Sequence, residues 1–295
     1  MKITSDPGRG PSINFHLIKE CNARCTYCFA TFPHLAKRDR LSGADQRALL
    51  DLLVDAGVGK INFAGGEPTL VPELGPLCKR IKIRSRGRCA VSLVTNGKRL
   101  EQLIDNWADW IDWVALSIDS KDDRTNAALG RTEKGAPYAP VMLKLGRKAR
   151  ERGLGLKCNT VVSRHNMAED MCSFMSEMNP ARWKLFQMLP VIGENDSAIE
   201  DLSVSNEEFQ AFVERHVPLR RAGIDVVPEN NAAMTNTYLM IGPDGRFFWH
   251  VPHGPERMLQ YGSSILEVGF DKALQQVRFS AEKFRSRGGE YEWLR

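Results

Sequence analysis

The chain has 295 residues, with 41 Lys and Arg against 36 Asp and Glu and a formal net charge of +5. Its 42% hydrophobic and 26% charged residues suit one large globular domain or two ordinary ones, which excludes disorder, collagen and fibrous repeats. Seven Cys are too sparse for a disulfide scaffold, no run of about eighteen apolar residues marks a transmembrane helix, and no secretory signal opens the chain, so the cytoplasm is the expected location. Residues 1–11, polar and rich in Gly and Pro, read as a flexible arm. Short apolar runs then predict strands at 12–18, 60–63, 90–95, 113–118, 156–162 and 182–188. Helical patterns predict helices at 43–56, 72–83, 99–109, 139–152 and 168–178. This alternation predicts an α/β fold with a parallel sheet, a partial (βα)6 TIM-type barrel over 12–200. From 203 the rhythm changes. A helix is predicted over 203–221, with Ser205 capping it before Glu207 and Glu208. Residues 238–241 and 246–249 predict a hairpin around Gly242-Pro243-Asp244-Gly245. Residues 201–295 therefore form a C-terminal α/β extension expected to cap the barrel and complete its site.

The strongest feature is Cys21-Asn-Ala-Arg-Cys25-Thr-Tyr-Cys28-Phe29, directly after the first predicted strand. In a parallel barrel that loop lies on the active-site side. Three thiols in a reducing compartment point to a metal. Zinc would want a fourth ligand, which His16 or His34 could supply, as in a Cys3His zinc module that binds nucleic acid. Cys78, Cys89, Cys158 and Cys172 are scattered singly and form no second knuckle. An iron–sulfur cluster held by three Cys keeps one iron open to a ligand.

The spacing of three residues then two, with an aromatic after the last Cys, resembles the radical S-adenosylmethionine (SAM) enzymes. That resemblance implies a 4Fe–4S cluster on Cys21, Cys25 and Cys28, SAM bound at the open iron, and a 5′-deoxyadenosyl radical. Gly65-Gly66-Glu67-Pro68, after the second strand, matches the family's Gly-Gly-Glu-Pro segment. Glycines let backbone approach a ligand closely, and Glu67 could accept from the SAM ammonium. Phe29, Asn96, Ser117 and Arg131 complete the implied SAM site, with Arg131 pairing the SAM carboxylate.

Residues i and i+2 of a strand share a face. Asn14 with His16, Lys60 with Asn62, Lys157 with Asn159, and Arg182 with Lys184 place polar pairs where a parallel sheet would carry apolar ones. Four cations turned inward would be costly if unpaired, so they predict an anion with several charges, such as a polyphosphate. No GxxxxGK[ST] loop is present, so side chains must hold that charge.

The segments FHLIKECNARCTYCF, KINFAGGEP, KCNTVVSRHN, NPARWKLFQ and Gly193-Glu194-Asn195, with Pro228-Glu229-Asn230 and Tyr238-Leu239, resemble the viperin family across about residues 12–293. The resemblance implies a ribonucleoside triphosphate substrate, CTP foremost with UTP or GTP as alternatives. It implies loss of the ribose 4′ hydrogen, departure of the 3′ hydroxyl as water, and an antiviral 3′-deoxy-3′,4′-didehydro product. Lys60, Lys157, Arg182 and Lys184 would hold the triphosphate, with Asn14 and Asn62 assisting. Tyr238 would sit near the ribose and relay a proton or electron. Glu229 and Asn159 are candidates near the base. A flavodoxin or ferredoxin is the implied electron donor, with no direct nucleic-acid binding and no membrane attachment. The chain departs from the animal pattern at Ala64, where a Ser is expected, and at Ser263, where a Lys would extend the phosphate clamp. The animal protein's amphipathic N-terminal helix and its aromatic C-terminal tail are also expected to be missing, which puts tail-dependent cluster loading in question. Another radical SAM reaction on a phosphorylated substrate is the nearest alternative. The basic run KRIKIRSRGR reads as a solvated helix end, Trp107, Trp110 and Trp113 as core, and His165, His216, His250 and His253 as surface or satisfied positions.

Overall fold

The computed structural model describes residues 10–294, so most of the arm expected over 1–11 lies outside the described residues. Six strands follow the predicted alternation: β1 Ser12–Ile18, β2 Lys60–Gly65, β3 Ala90–Thr95, β4 Trp113–Ser117, β5 Gly155–Val162 and β6 Arg182–Gln187. They pair in parallel in sequence order. Five further strands join the same sheet: β7 Val191–Ile192, β8 Asp225–Glu229, β9 Leu239–Ile241, β10 Arg246–His253 and β11 Glu256–Ser264. The sheet order is β7-β11-β10-β9-β1-β2-β3-β4-β5-β6-β8. It curls into a partial barrel.

The helices α1 Gly43–Asp55, α2 Leu74–Arg84, α3 Leu100–Trp107, α4 Asp123–Ala128, α5 Ala139–Glu151 and α6 Cys172–Met178 connect consecutive strands. Ser42 starts α1 with a capping box, accepting from the Asp45 backbone at 3.2 Å; such a cap is worth about 1 kcal/mol. The apolar faces of these helices and the outward strand residues form one core. Ile13 and Phe15 of β1, Ile61 and Phe63 of β2, Cys158 of β5, and Trp183 and Leu185 of β6 are all fully buried in it. Alternation then sends Asn14, Lys60, Asn62, Lys157, Asn159, Arg182 and Lys184 to the concave face.

The chain after residue 200 departs from the expectation in detail. The helix predicted over 203–221 is split into α8 Asn206–His216 and a 3-10 turn Val217–Ala222, and an unpredicted helix, α7 Asp196–Leu202, precedes it. Ser205 does cap α8, accepting from Glu208 N at 3.2 Å. Pro218 lacks the N–H that would carry the α-helical ladder onward. The predicted hairpin gains β11, and β8 goes to the free edge beside β6. There Pro228 is tolerated, since an edge strand needs only one set of ladder bonds. Residues beyond 200 thus extend the sheet at both edges. No helix among the described residues is long and apolar enough to cross a membrane.

Candidate active site

A cavity of about 580 Å³ opens on the concave face. Cys21, Cys25 and Cys28 line one end, on the loop that leaves β1; Lys60, Lys157, Arg182, Lys184 and Arg287 line the other.

The cysteine loop is held from four sides. Gly66 N donates to Ile18 O at 2.6 Å and Glu67 N to Glu20 O at 2.8 Å. A Cβ on Gly66 would stand 1.9 Å from Glu20 O, and Gly65 has φ +123. These glycines serve the approach of two loops, and both also line the cavity. Asn96 Nδ2 donates to Asn22 Oδ1 at 2.7 Å, and Lys98 Nζ to Asn22 O at 2.7 Å. Arg24 N donates to Gly130 O at 2.8 Å and Thr26 N to Leu129 O at 3.2 Å. Asn195 Nδ2 donates to Tyr27 O at 3.0 Å, and Glu194 Oε2 accepts from Thr31 Oγ1 at 2.7 Å and Phe32 N at 3.0 Å. Burial pushes the Cys25 thiol up and the Cys28 thiol up to about 12. The loop is thus pinned with little freedom to reorient, a preorganised set of ligands.

Two residues expected to bind a ligand are already engaged. Glu67 is buried, and its carboxylate accepts from Thr69 Oγ1 and Thr95 Oγ1 at 2.6 Å each and from Asn96 N at 2.7 Å. It ties the β2 loop to the end of β3, and its capacity for a ligand ammonium is correspondingly small. Arg131 donates through Nε to Asp119 Oδ2 at 2.7 Å and through Nη2 to Oδ1 at 3.3 Å. Asp119 also accepts from Tyr27 Oη. The Arg131 charge is therefore shared before any carboxylate arrives. Ser117, Asn96 and Phe29 line the cavity.

At the far end five cations converge, all but Lys184 less than a tenth exposed. Register explains the cluster: Lys157 pairs with Arg182 and Asn159 with Lys184 on neighbouring strands. Asn62 Nδ2 donates to Asn14 Oδ1 at 2.8 Å, and Ser92 Oγ donates to Asn62 Oδ1 at 2.6 Å. Asn159 Oδ1 has no hydrogen-bond partner among the described residues. Burial pulls Lys60 down to about 7 and Lys184 down to about 8, the latter despite Glu229; burial and its cationic neighbours bring Lys157 far below its ordinary value. Such a cluster sheds protons when alone and regains them beside an anion.

Glu229, expected near a base, does not line the cavity. It is fully buried behind the wall, paired with Lys184 and with Arg287 at 2.8 Å. Burial works to raise its carboxyl, but those two cations hold it below the ordinary range. Tyr238 lies in front: its hydroxyl donates to Glu229 and accepts from Lys184 Nζ at 2.7 Å and Arg287 Nη1 at 3.1 Å. Burial, with the Glu229 charge adding to it, keeps the phenol protonated.

Arg287 and Tyr291 were not legible. The Tyr291 hydroxyl accepts from both Lys60 and Lys157, and its ring lies 4.1 Å from the Arg182 guanidinium carbon. Trp293 is buried, and its carbonyl accepts from Trp113 Nε1 at 2.9 Å. The aromatic end of this chain thus packs on the start of the barrel. Ser263 binds Gln276 instead of lining the cavity. Among the described residues, ligand atoms gathered within 4.8 Å of one another belong to Asp170, Cys172 and His216, not to the Cys triplet with His16 or His34. A single tetrahedral zinc would need that tighter gathering. At the Asp170 set, His216 Nε2 already accepts from Met171 N at 2.9 Å.

The model of the radical SAM superfamily matches residues 16–178. The S-adenosylmethionine-dependent nucleotide dehydratase of Flammeovirga pacifica is 37% identical over 299 residues, covering 99% of this chain and 99% of its own. The S-adenosylmethionine-dependent nucleotide dehydratase RSAD2 of Oncorhynchus mykiss is 33% identical and covers 96% of this chain and 80% of its own. The chain belongs to the viperin-like family of radical SAM enzymes. In fold, it is similar to native anSMEcpe with bound AdoMet and Cp18Cys peptide, at a TM-score of 0.68 and 14% identity over 95% of this chain and 82% of that one. Radical SAM enzymes carry a 4Fe–4S cluster and SAM, and this viperin-like chain fits both. Its three thiols sit free on one braced loop and line the cavity together, a donor set that suits a cluster with one iron left open. The cavity beside them is bordered by Asn96, Ser117 and Arg131, which suit a zwitterionic ligand.

Proposed function

We propose that this enzyme dehydrates a ribonucleoside triphosphate, CTP foremost with UTP and GTP as alternatives, to the 3′-deoxy-3′,4′-didehydro triphosphate, a chain terminator in antiviral defence. One observation carries the reading: a single cavity has three thiols at one end and five cations at the other. When bound at Cys21, Cys25 and Cys28, the cluster with SAM supplies a 5′-deoxyadenosyl radical.

The chain's own residues set where that reactivity falls. Gly65, Gly66, Glu67 and Asn96 hold the cysteine loop, and Phe29, Ser117 and Arg131 bound the SAM site. Lys60, Lys157, Arg182 and Lys184 take the triphosphate, with Asn14, Asn62 and Asn159 above them. An anion there restores protons to the depressed lysines. With the phosphates fixed, the ribose lies between the two ends and turns its C4′ hydrogen toward the thiol end. Loss of that hydrogen, departure of the 3′ hydroxyl as water after gaining a proton, and entry of one further electron give the product. Tyr238 relays the proton to the leaving hydroxyl: its O–H turns from Glu229 to that oxygen as Lys184 Nζ, 2.7 Å away, passes a proton to Tyr238 Oη. Glu229 positions Tyr238, Lys184 and Arg287. A flavodoxin or ferredoxin supplies the electrons, and the reaction proceeds in the cytoplasm.

The test is incubation of reduced, cluster-loaded protein with SAM and each of the four ribonucleoside triphosphates. The expected result is 5′-deoxyadenosine together with a nucleotide lighter by one water. SAM cleavage that no triphosphate affects would overturn the reading.

A further inference from the structure

Along β1, β9 and β10 the cavity wall carries two imidazoles, His16 and His250, beside the polar Ser12 and Asn14 of β1 and the apolar Leu239 and Met240 of β9. His16 is 3% exposed and His250 6% exposed, and both line the cavity. His16 Nδ1 and His250 Nε2 have no hydrogen-bond partner among the described residues. The Phe29 ring meets His250 edge-on at 5.4 Å and His16 at 6.2 Å. Met234, Leu189 and Met240 complete the wall. Buried nitrogens without partners are costly, and two of them on residues that line one cavity mark a place where a ligand completes the bonding. The expectation that His250 is a surface or satisfied residue is thereby corrected.

The occupant follows from the proposed function, on which this inference rests. The triphosphate takes the cation end and C4′ faces the thiols. The β2–β4 flank carries the polar groups Asn96 and Ser117. A flat ring leaving the ribose sideways therefore enters the apolar lobe between Phe29 and Met234. We propose that His250, with His16 beside it, reads the hydrogen-bonding edge of the substrate's nucleobase. Both imidazoles are neutral, because burial pulls His16 down to about 3 and His250 down to about 4. A neutral imidazole offers one N–H and one lone pair. His250 Nε2 can thus donate to a base carbonyl or accept from an exocyclic amine. The adenine of SAM presents the same edge chemistry, so the test must separate the two.

The experiment compares wild type, His250→Ala, His250→Gln and Lys184→Ala, each cluster-loaded. Dissociation constants for ATP, CTP, GTP and UTP are measured by calorimetry, and kcat/KM for each triphosphate and KM for SAM by product formation. Wild-type turnover of any triphosphate decides the proposed function separately; only the comparison of variants decides this inference. His250→Ala is expected to shrink the spread of affinities among the four triphosphates by about tenfold. KM for SAM should stay within about twofold, and His250→Gln, which keeps a donor and an acceptor, should recover part of the spread. Lys184→Ala should instead lower all four affinities by a common factor. The inference is overturned if His250→Ala weakens all four equally, if it leaves base preference intact, or if KM for SAM rises while base preference stands.

Discussion

The thiol end and the cation end of the cavity are built by different means. At the thiol end the reactive side chains sit on a loop, and backbone atoms of two other segments fix it: Ile18 and Glu20 meet Gly66 and Glu67, and Arg24 and Thr26 meet Gly130 and Leu129. At the cation end the side chains sit on strands, and the ladder itself sets their spacing through the pairs Lys157–Arg182 and Asn159–Lys184. A loop site has little tolerance for a displaced backbone atom. A strand site loses one contact at a time.

Mutations can break that contrast. The largest effect is expected for Cys25→Ala, which should abolish iron binding and SAM cleavage together; iron content and 5′-deoxyadenosine formation are the measurements, and a fully loaded variant would refute the ligand assignment. Next is Gly66→Ala, whose new Cβ would stand 1.9 Å from Glu20 O. Neither backbone can yield cheaply, so iron occupancy should fall severalfold while the dissociation constant for a triphosphate stays nearly constant. A variant that loads iron normally would show that the brace is dispensable. Lys157→Ala should do the reverse: intact iron content, with triphosphate binding weaker by about 2–5 kcal/mol in calorimetry, as for loss of a desolvated charge contact.

Another effect is with pH. The Lys60 ammonium has been pulled down to about 7 and that of Lys184 to about 8, chiefly by burial. A bound triphosphate favours the charged forms, so its affinity should be greatest below pH 7. Above that it should fall by up to about tenfold per pH unit for each lysine being neutralised. Stability of the ligand-free protein should move the opposite way. The unfolded lysines hold protons that the folded ones have lost, so resistance to urea should rise from pH 7 toward pH 10 as far as these groups decide it. Affinity independent of pH across this window would mean that the lysines keep their charge without a ligand.

The sequence announces the two ends unequally. The Cys triplet was legible because its spacing survives without any knowledge of the fold. The inward cations were legible because alternation with Trp183, Leu185 and Cys158 assigns faces as soon as the strands are placed. The braces were not, because Glu67, Asn96 and Asn195 act through partners far along the chain, and only the folded loops show that Glu67 is spent on Thr69, Thr95 and Asn96. β8 was hidden by Pro228, which argues against a strand until the strand is known to lie at an edge. Tyr291 and Arg287 carry no local signal, since their place at the cations depends on the tail returning to the start of the barrel. His250 was set aside because a lone histidine is usually satisfied, and only its neighbours in the cavity distinguish it.

The central claim is that a radical generated at the thiol end meets the ribose of a nucleotide anchored at the cation end. The most direct measurement uses a triphosphate carrying deuterium at C4′, incubated with the reduced, loaded enzyme and SAM. The account predicts one deuterium in the 5′-deoxyadenosine recovered. Unlabelled 5′-deoxyadenosine, formed alongside consumption of the nucleotide, would contradict it.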